Sequence, residues 1–381
     1  MRLQSEVRSL LSMFLAMLLT FALAEAGARW LDFGSRDILL GPIDLQSDTA
    51  VFTKVRELKR HPSPRIFVFG DSVLRVGFVD SGAEKRKTFD YLLREELRPF
   101  LPNDTLSVAN FATSGALVAD IGALVQASLA AKPDVVVINI NLDQFAHHQE
   151  VDEGFTRYYL KNMRIEGDRL TANESAHPTL DVAIESILNR FFSNNFELYR
   201  LAHVWAWEYI SRTPSKRIGL MIADTLAKGA GLVSLGGRDP DPLSRVAVKN
   251  AKANRPRDFE TLDWSEKNVQ VRAFQRVMAE LLERRIPTIL FYTRESQAMI
   301  VDQAHAGGIA HVRSQLSQLL EPYCQSRTVQ CRLDKTLPEE FYIDNIHVDE
   351  RGFVAWVKEL VPLVIQGLGQ PPPNFAGQFA E

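Results

Sequence analysis

Three short apolar runs, residues 66–69, 135–140 and 288–292, constrain this chain more than any other feature. Each is too brief for a typical helix and has almost no polar alternation, so each reads as a strand buried on both faces. Between and after them lie stretches with helical spacing. Phe89, Leu92, Leu93 and Leu97 run up to Pro99, and further helices are expected over 118–131, 268–285, around 312–320, and 350–366. Weaker strand signals at 106–110 and 329–333 bring the expected strands to five. Strands alternating with helices predict an α/β domain, here a three-layer α/β/α sandwich around a five-stranded parallel sheet. At 381 residues and 46% hydrophobic, the chain has enough apolar material for such a core.

The interval 151–262 breaks this rhythm and reads as a mainly helical insertion. Residues 163–172 suggest a hairpin turning at Gly167-Asp168, and 191–209 are rich in aromatics, including Phe191, Phe192, Phe196, Tyr199, Trp205, Trp207 and Tyr209. Such a stripe serves as a lid or a substrate or membrane contact, or it packs onto the domain. Arg245, Lys249, Lys252, Arg255 and Arg257 form a basic stretch within the same insertion and read as a solvated loop. The organisation expected is an N-terminal segment over 1–31, a connector over 32–60 ending in a basic run from Lys54, a domain over 61–368 that contains the insertion, and a tail over 369–381 with Pro371 to Pro373.

At the amino terminus Arg2 and Arg8 precede residues 10–24, fifteen positions without a charge. This reads as an N-terminal hydrophobic helix that anchors the chain in a membrane, with Arg29 and Trp30 at its interface. Ala22-Leu23-Ala24 also suits a small-residue cleavage site, which leaves a removed signal peptide as the alternative. Both routes carry the remainder out of the cytoplasm. The only cysteines, Cys324 and Cys331, then either form a disulfide closing a short loop or stay as buried thiols, and spacing alone leaves both open. A net charge of −3 excludes nucleic acid as an expected partner.

The first strand ends in Gly70-Asp71-Ser72, placing a serine where the buried pattern stops. A serine hydroxyl is a weak nucleophile near neutral pH and needs a histidine to take its proton, with a carboxylate to orient that histidine. Among eight histidines one stands out, His347, which follows Asp344 by three positions just ahead of the last helix. That spacing lets one loop carry both groups. Taken singly, Ser72 also suits a helix cap, and so does Asp344. His147-His148 has no further spaced ligands, so no metal is expected, and no phosphate-cradling glycine loop precedes a helix, so no nucleotide cofactor is either.

Gly70-Asp71-Ser72, the block from Asn110 to Gly115, an asparagine after the third strand and Asp344-x-x-His347 occur in an order that resembles the SGNH/GDSL hydrolase superfamily. The resemblance covers about 61–150 and 262–368, and it implies a flavodoxin-like sheet order. It also implies that Ser72 is the nucleophile, His347 the general base and Asp344 its orienting acid. The backbone N–H groups of Ser72 and Gly115 would line the oxyanion hole. Two departures stand out. Ala112 occupies a place where the family often has glycine, and the third block reads Asn141-Leu142-Asp143 instead of G-x-N-D. An ungapped match puts Asp143 at the oxyanion asparagine, where a carboxylate repels the developing charge, so Asn141 is the expected side-chain donor.

The activity implied is that of an extracytoplasmic serine esterase or O-acyltransferase acting through an acyl-enzyme, with acylated, chiefly acetylated, cell-surface polysaccharide as substrate. A multi-span membrane acyltransferase is the partner that the resemblance suggests. The location implied is the periplasmic side of a bacterial inner membrane, or secretion after signal cleavage. A lipase-like esterase with the aromatic insertion as lid is one alternative, and a catalytically inactive glycan-binding or assembly protein is another.

Overall fold

The structure is a computed structural model that describes residues 2–30, 48–75, 88–101, 106–113, 115–145, 163–166, 169–172, 180–200, 262–296, 303–333, 336–343 and 346–371. In chain order the elements are helix α1 (Arg2–Trp30), α2 (Asp48–Leu58), strand β1 (Arg65–Phe69), α3 (Ser72–Arg75), α4 (Phe89–Leu97), β2 (Ser107–Asn110), α5 (Val118–Ser128) and β3 (Val135–Ile140). There follow β4 (Met163–Glu166), β5 (Arg169–Ala172), α6 (Leu180–Asn195), α7 (Val269–Glu283), β6 (Thr288–Tyr292), α8 (Gln303–Cys324), β7 (Val329–Arg332) and α9 (Glu350–Gly367).

Five strands form one parallel sheet in the order β2-β1-β3-β6-β7. The chain leaves β1 to one side for β2 and returns to the other side for β3. A crevice therefore opens between the carboxyl ends of β1 and β3, the place where open α/β sheets bind ligands. Alternation along β1 sends Phe67 and Phe69 to one face and Ile66 and Val68 to the other. Residues of α2, α5, α7 and α8 cover the first face, and those of α4 and α9 the second, which completes the three layers. Because both faces are covered, β1 and β3 are apolar almost throughout, and that is why they are so legible in the sequence.

The segment expected to be a connector contains a core helix. On α2, Val51, Phe52, Val55 and Leu58 are fully buried, and so is Lys54, whose ammonium lies 5.1 Å from the centre of the Phe111 ring. The basic run is therefore split. Lys54 belongs to the interior, where an aromatic face offsets part of the cost of burying its charge.

The hairpin is present as an antiparallel β4–β5 pair with Glu166 opposite Arg169, and the turn at Gly167-Asp168 lies outside the described residues. Trp205, Trp207, Tyr209, the basic stretch from Arg245 to Arg257 and His147-His148 also lie outside them. Cys324, at the end of α8, is disulfide-bonded to Cys331 on β7, with Cα atoms 5.5 Å apart. The bond pins a covering helix to the edge strand.

Helix α1 carries large apolar side chains that meet solvent, among them Met13, Phe14, Leu15 and Leu19. Among the described residues, no helix is long and apolar enough to cross a membrane.

Candidate active site

The turn after β1 is built by a cap. Asp71 Oδ1 accepts from the Val73 N–H at 2.9 Å, and the Asp71 carbonyl accepts from the Leu74 N–H at 3.2 Å. Asp71 therefore fills the N-cap position of α3 and Ser72 is the first helical residue. Of the two readings open for Ser72, this removes the capping one. The hydroxyl is left for another partner, and it finds His347, with Nε2 2.9 Å from Ser72 Oγ.

His347 arrives on a small loop fastened at several points. Ile343 N–H donates to the His347 carbonyl at 2.8 Å and Asp349 N–H to the Phe341 carbonyl at 2.7 Å, with Tyr342 and Val348 paired as an antiparallel bridge. Ile346 and Val348 point inward and are buried, which leaves His347 between them facing the crevice side. Helix α9 then starts with Asp349 as its cap, whose Oδ1 accepts from the Gly352 N–H at 3.2 Å. Gly352 has to be small, since a Cβ there would stand 2.5 Å from Val348 Cβ. Asp344 lies outside the described residues, and the helix-cap role open to it in the sequence belongs to Asp349.

A second layer ties the histidine loop to the end of β6. The Tyr342 hydroxyl donates to the Arg294 carbonyl at 2.8 Å. Nearby, the Tyr292 hydroxyl donates to Glu295 Oε2 at 2.9 Å, and Arg313 of α8 donates to the same oxygen at 2.9 Å. Burial pushes both phenols up, Tyr342 to about 12 with help from the negative charges of Glu295 and Glu339. Both therefore stay protonated donors at physiological pH.

The second block supplies the remaining framework. Asn110, at the end of β2, is fully buried and donates through Nδ2 to the Leu74 carbonyl of α3 at 3.0 Å and to Asp90 Oδ1 of α4 at 3.1 Å. Its Oδ1 accepts from the Ala112 N–H at 2.8 Å. One amide thus holds the helix that carries Ser72 and the loop that leads to Gly115. Burial pushes the Asp90 carboxyl up, opposed by the Asn110 hydrogen bond and the charge of Lys54. Gly115 sits at φ +71° and is exposed, with nothing within 4 Å of the place a Cβ would occupy. Backbone conformation, not close packing, therefore calls for glycine there. Ser114 lies outside the described residues.

The third block places Asn141 beside the serine turn. Asn141 is buried and its Nδ2 donates to Asp71 Oδ2 at 2.6 Å, while its Oδ1 accepts from the Gln144 N–H at 3.2 Å. An amide nitrogen carries two hydrogens, and Asp71 takes one of them. Asp143 is buried in the short 3₁₀ turn Leu142–Phe145 that follows. The structure thus gathers Ser72, His347 and Asn141 around the carboxyl ends of β1 and β3. Sequence reasoning missed the Asn110 hub and the Tyr342 tie. The signal for Asn110 was an amide side chain at the end of a short buried strand.

With Nε2 unprotonated, His347 can accept the Ser72 proton as the oxygen attacks a carbonyl carbon. With Asp71 taking the Val73 and Leu74 N–H groups, the Ser72 N–H is the helix-start donor suited to a developing negative charge.

The GDSL-like lipase/acylhydrolase family model matches residues 66–206. No curated protein matches the chain. Among solved structures, an alpha/beta hydrolase enzyme from the metagenome of Lake Arreo, Spain, aligns at 13% identity and a TM-score of 0.33 over 82% of this chain and 98% of its own. An acetylxylan esterase from Geobacillus stearothermophilus aligns at 13% identity and a TM-score of 0.35 over 82% of this chain and 96% of its own.

Two outcomes follow from this geometry. Asn110→Ala leaves buried partners unsatisfied on three segments and should cost about 2–3 kcal/mol in urea unfolding, with a fall in kcat larger than any change in KM. Asp120, whose Oδ2 accepts from the Leu117 N–H at 3.0 Å just beyond Gly115, is pushed up to about 7 by burial. A carboxyl raised in the folded state binds a proton that the unfolded chain has released, so stability falls as pH climbs from about 4 to about 7. Asp120→Asn should remove that fall, a difference of up to a few kcal/mol at about 1.4 kcal/mol per pH unit, read by urea titrations at pH 5 and pH 8.

Proposed function

We propose that this chain, which carries a domain of the GDSL-like lipase/acylhydrolase family, is a serine esterase or O-acyltransferase of the SGNH type. The observation that carries the reading is the 2.9 Å contact between Ser72 Oγ and His347 Nε2. Ser72 attacks the acyl carbonyl, and His347 takes the hydroxyl proton and returns it to the departing alkoxide. An acyl-serine remains, and a second oxygen nucleophile, activated by the same imidazole, releases it. For Nε2 to accept, the ring carries its hydrogen on Nδ1, and Asp344 is the group we assign to that hydrogen. The tetrahedral oxyanion receives the Ser72 and Gly115 N–H groups and the second amide hydrogen of Asn141. Asp143 takes no part in this assignment, since a carboxylate would oppose the charge.

We assign the acyl group to acetyl and the carrier to a cell-surface polysaccharide. Water as second nucleophile makes a deacetylase, a sugar hydroxyl makes a transferase. The domain works outside the cytoplasm, on the periplasmic face of a bacterial inner membrane, with the N-terminal helix holding it to the lipid. The Cys324–Cys331 disulfide supports a compartment that is not reducing. The exposed apolar side chains of α1 support the lipid contact.

The full chain should release acetate from acetylated polysaccharide, or move it to an added glycan, with Ser72→Ala lowering the rate by about 10³-fold or more. Faster turnover of long-chain esters than of acetyl esters would make the enzyme lipase-like. Acetyl turnover unchanged in folded Ser72→Ala would overturn the proposed mechanism.

A further inference from the structure

Over its central stretch from Met13 to Leu23, helix α1 exposes apolar side chains on nearly every side. Met13, Phe14 and Leu15 are 54–67% exposed, as are Met17, Leu19 and Leu23, although successive residues on a helix point about 100° apart. A protein groove covers one face of a helix. A stretch apolar all round suits a medium that surrounds it, which is lipid.

A second apolar group stands beside it. On α6, Ile187, Leu188 and Phe191 are 50–55% exposed. The two groups are joined through Phe196, whose ring centre lies 5.3 Å from that of Phe21 on α1 and 5.9 Å from that of Phe191. The joint is also polar. The carboxylate of Glu25, buried on α1, accepts the backbone N–H groups of Glu197 at 2.7 Å and Leu198 at 2.8 Å, which cap the helical turn after α6. A carboxylate accepting two helix-start donors makes a charge-assisted clamp. From the same junction, Ser193 bonds to Thr49 of α2 at 2.9 Å, and the buried Arg200 donates to the Ser193 carbonyl. Helix α2 belongs to the core. The apolar surface therefore connects to the catalytic domain through bonded elements.

We infer that Ile187, Leu188 and Phe191 form a second lipid contact, continuous with α1, so that the domain rests on the bilayer through the insertion instead of hanging from a single helix. This rests on the reading that α1 itself engages lipid. The consequence is that the site holds one orientation relative to the bilayer.

The test uses the full chain reconstituted in vesicles of phosphatidylethanolamine and phosphatidylglycerol, with the photo-crosslinker benzoylphenylalanine placed singly at position 15, 188, 191 or 276. Arg276 lies exposed on α7 and serves as the control. The expected result is lipid adducts by mass spectrometry at 15, 188 and 191, several-fold above position 276. Adducts at 15 with only background at 188 and 191 would overturn the second contact and leave the α1 reading standing. Background at all four positions would overturn both. Adducts at 188 and 191 to another polypeptide would overturn the inference in favour of a second copy as occupant.

Discussion

The site depends on which side chain caps a four-residue helix. Asp71 and Ser72 are adjacent and either could accept the free N–H groups at the start of α3. Asp71 does so, and the Ser72 hydroxyl is released towards His347. Were the roles exchanged, the hydroxyl would be spent on the backbone and the contact with His347 would be lost. The cap is itself held, because the other Asp71 oxygen accepts from Asn141, just past the end of the neighbouring strand β3. Asn141 thus serves the turn first, and the oxyanion role we propose for it draws on the one amide hydrogen that Asp71 leaves.

Around that turn the protein uses buried polar groups where an apolar core would have been easier to stabilise. Asn110, Asp90 and Lys54 are all buried, and so are Tyr292 and Glu295, which the half-buried Arg313 joins on the far side of the histidine loop. Such networks define a geometry when every member is satisfied, and leave costly unpaired groups when one is removed. Asn110 couples three segments from one amide. The histidine loop gains the same certainty from the close fit of Gly352 against Val348, next to His347.

Most of the sheet was legible in the residues. Strands buried on both faces are apolar nearly throughout, so β1, β3 and β6 stand out and fall within a residue of their expected bounds. Helix α8 was expected around 312–320 but spans Gln303–Cys324, because Gly307 and Gly308 weaken its first turns as a sequence signal. Helix α2 was hidden by its own charges. Val51, Phe52, Val55 and Leu58 have helical spacing, but the mixture of polar and apolar residues and the basic run from Lys54 to Arg60 read as a connector, and nothing local says that Lys54 is covered. The serine and histidine were legible as candidates. Their 2.9 Å approach was not, since it depends on a cap that sequence assigns equally well to either of two residues and on a loop 275 positions away.

The central claim is that Ser72 is a nucleophile activated by His347. A fluorophosphonate reacts with a serine only when a base takes its proton, and peptide mapping locates the adduct. A single adduct at Ser72 is expected in the full chain, with labelling largely lost in folded His347→Ala. Folded wild-type protein that stays unlabelled, or labels at another residue, would contradict it.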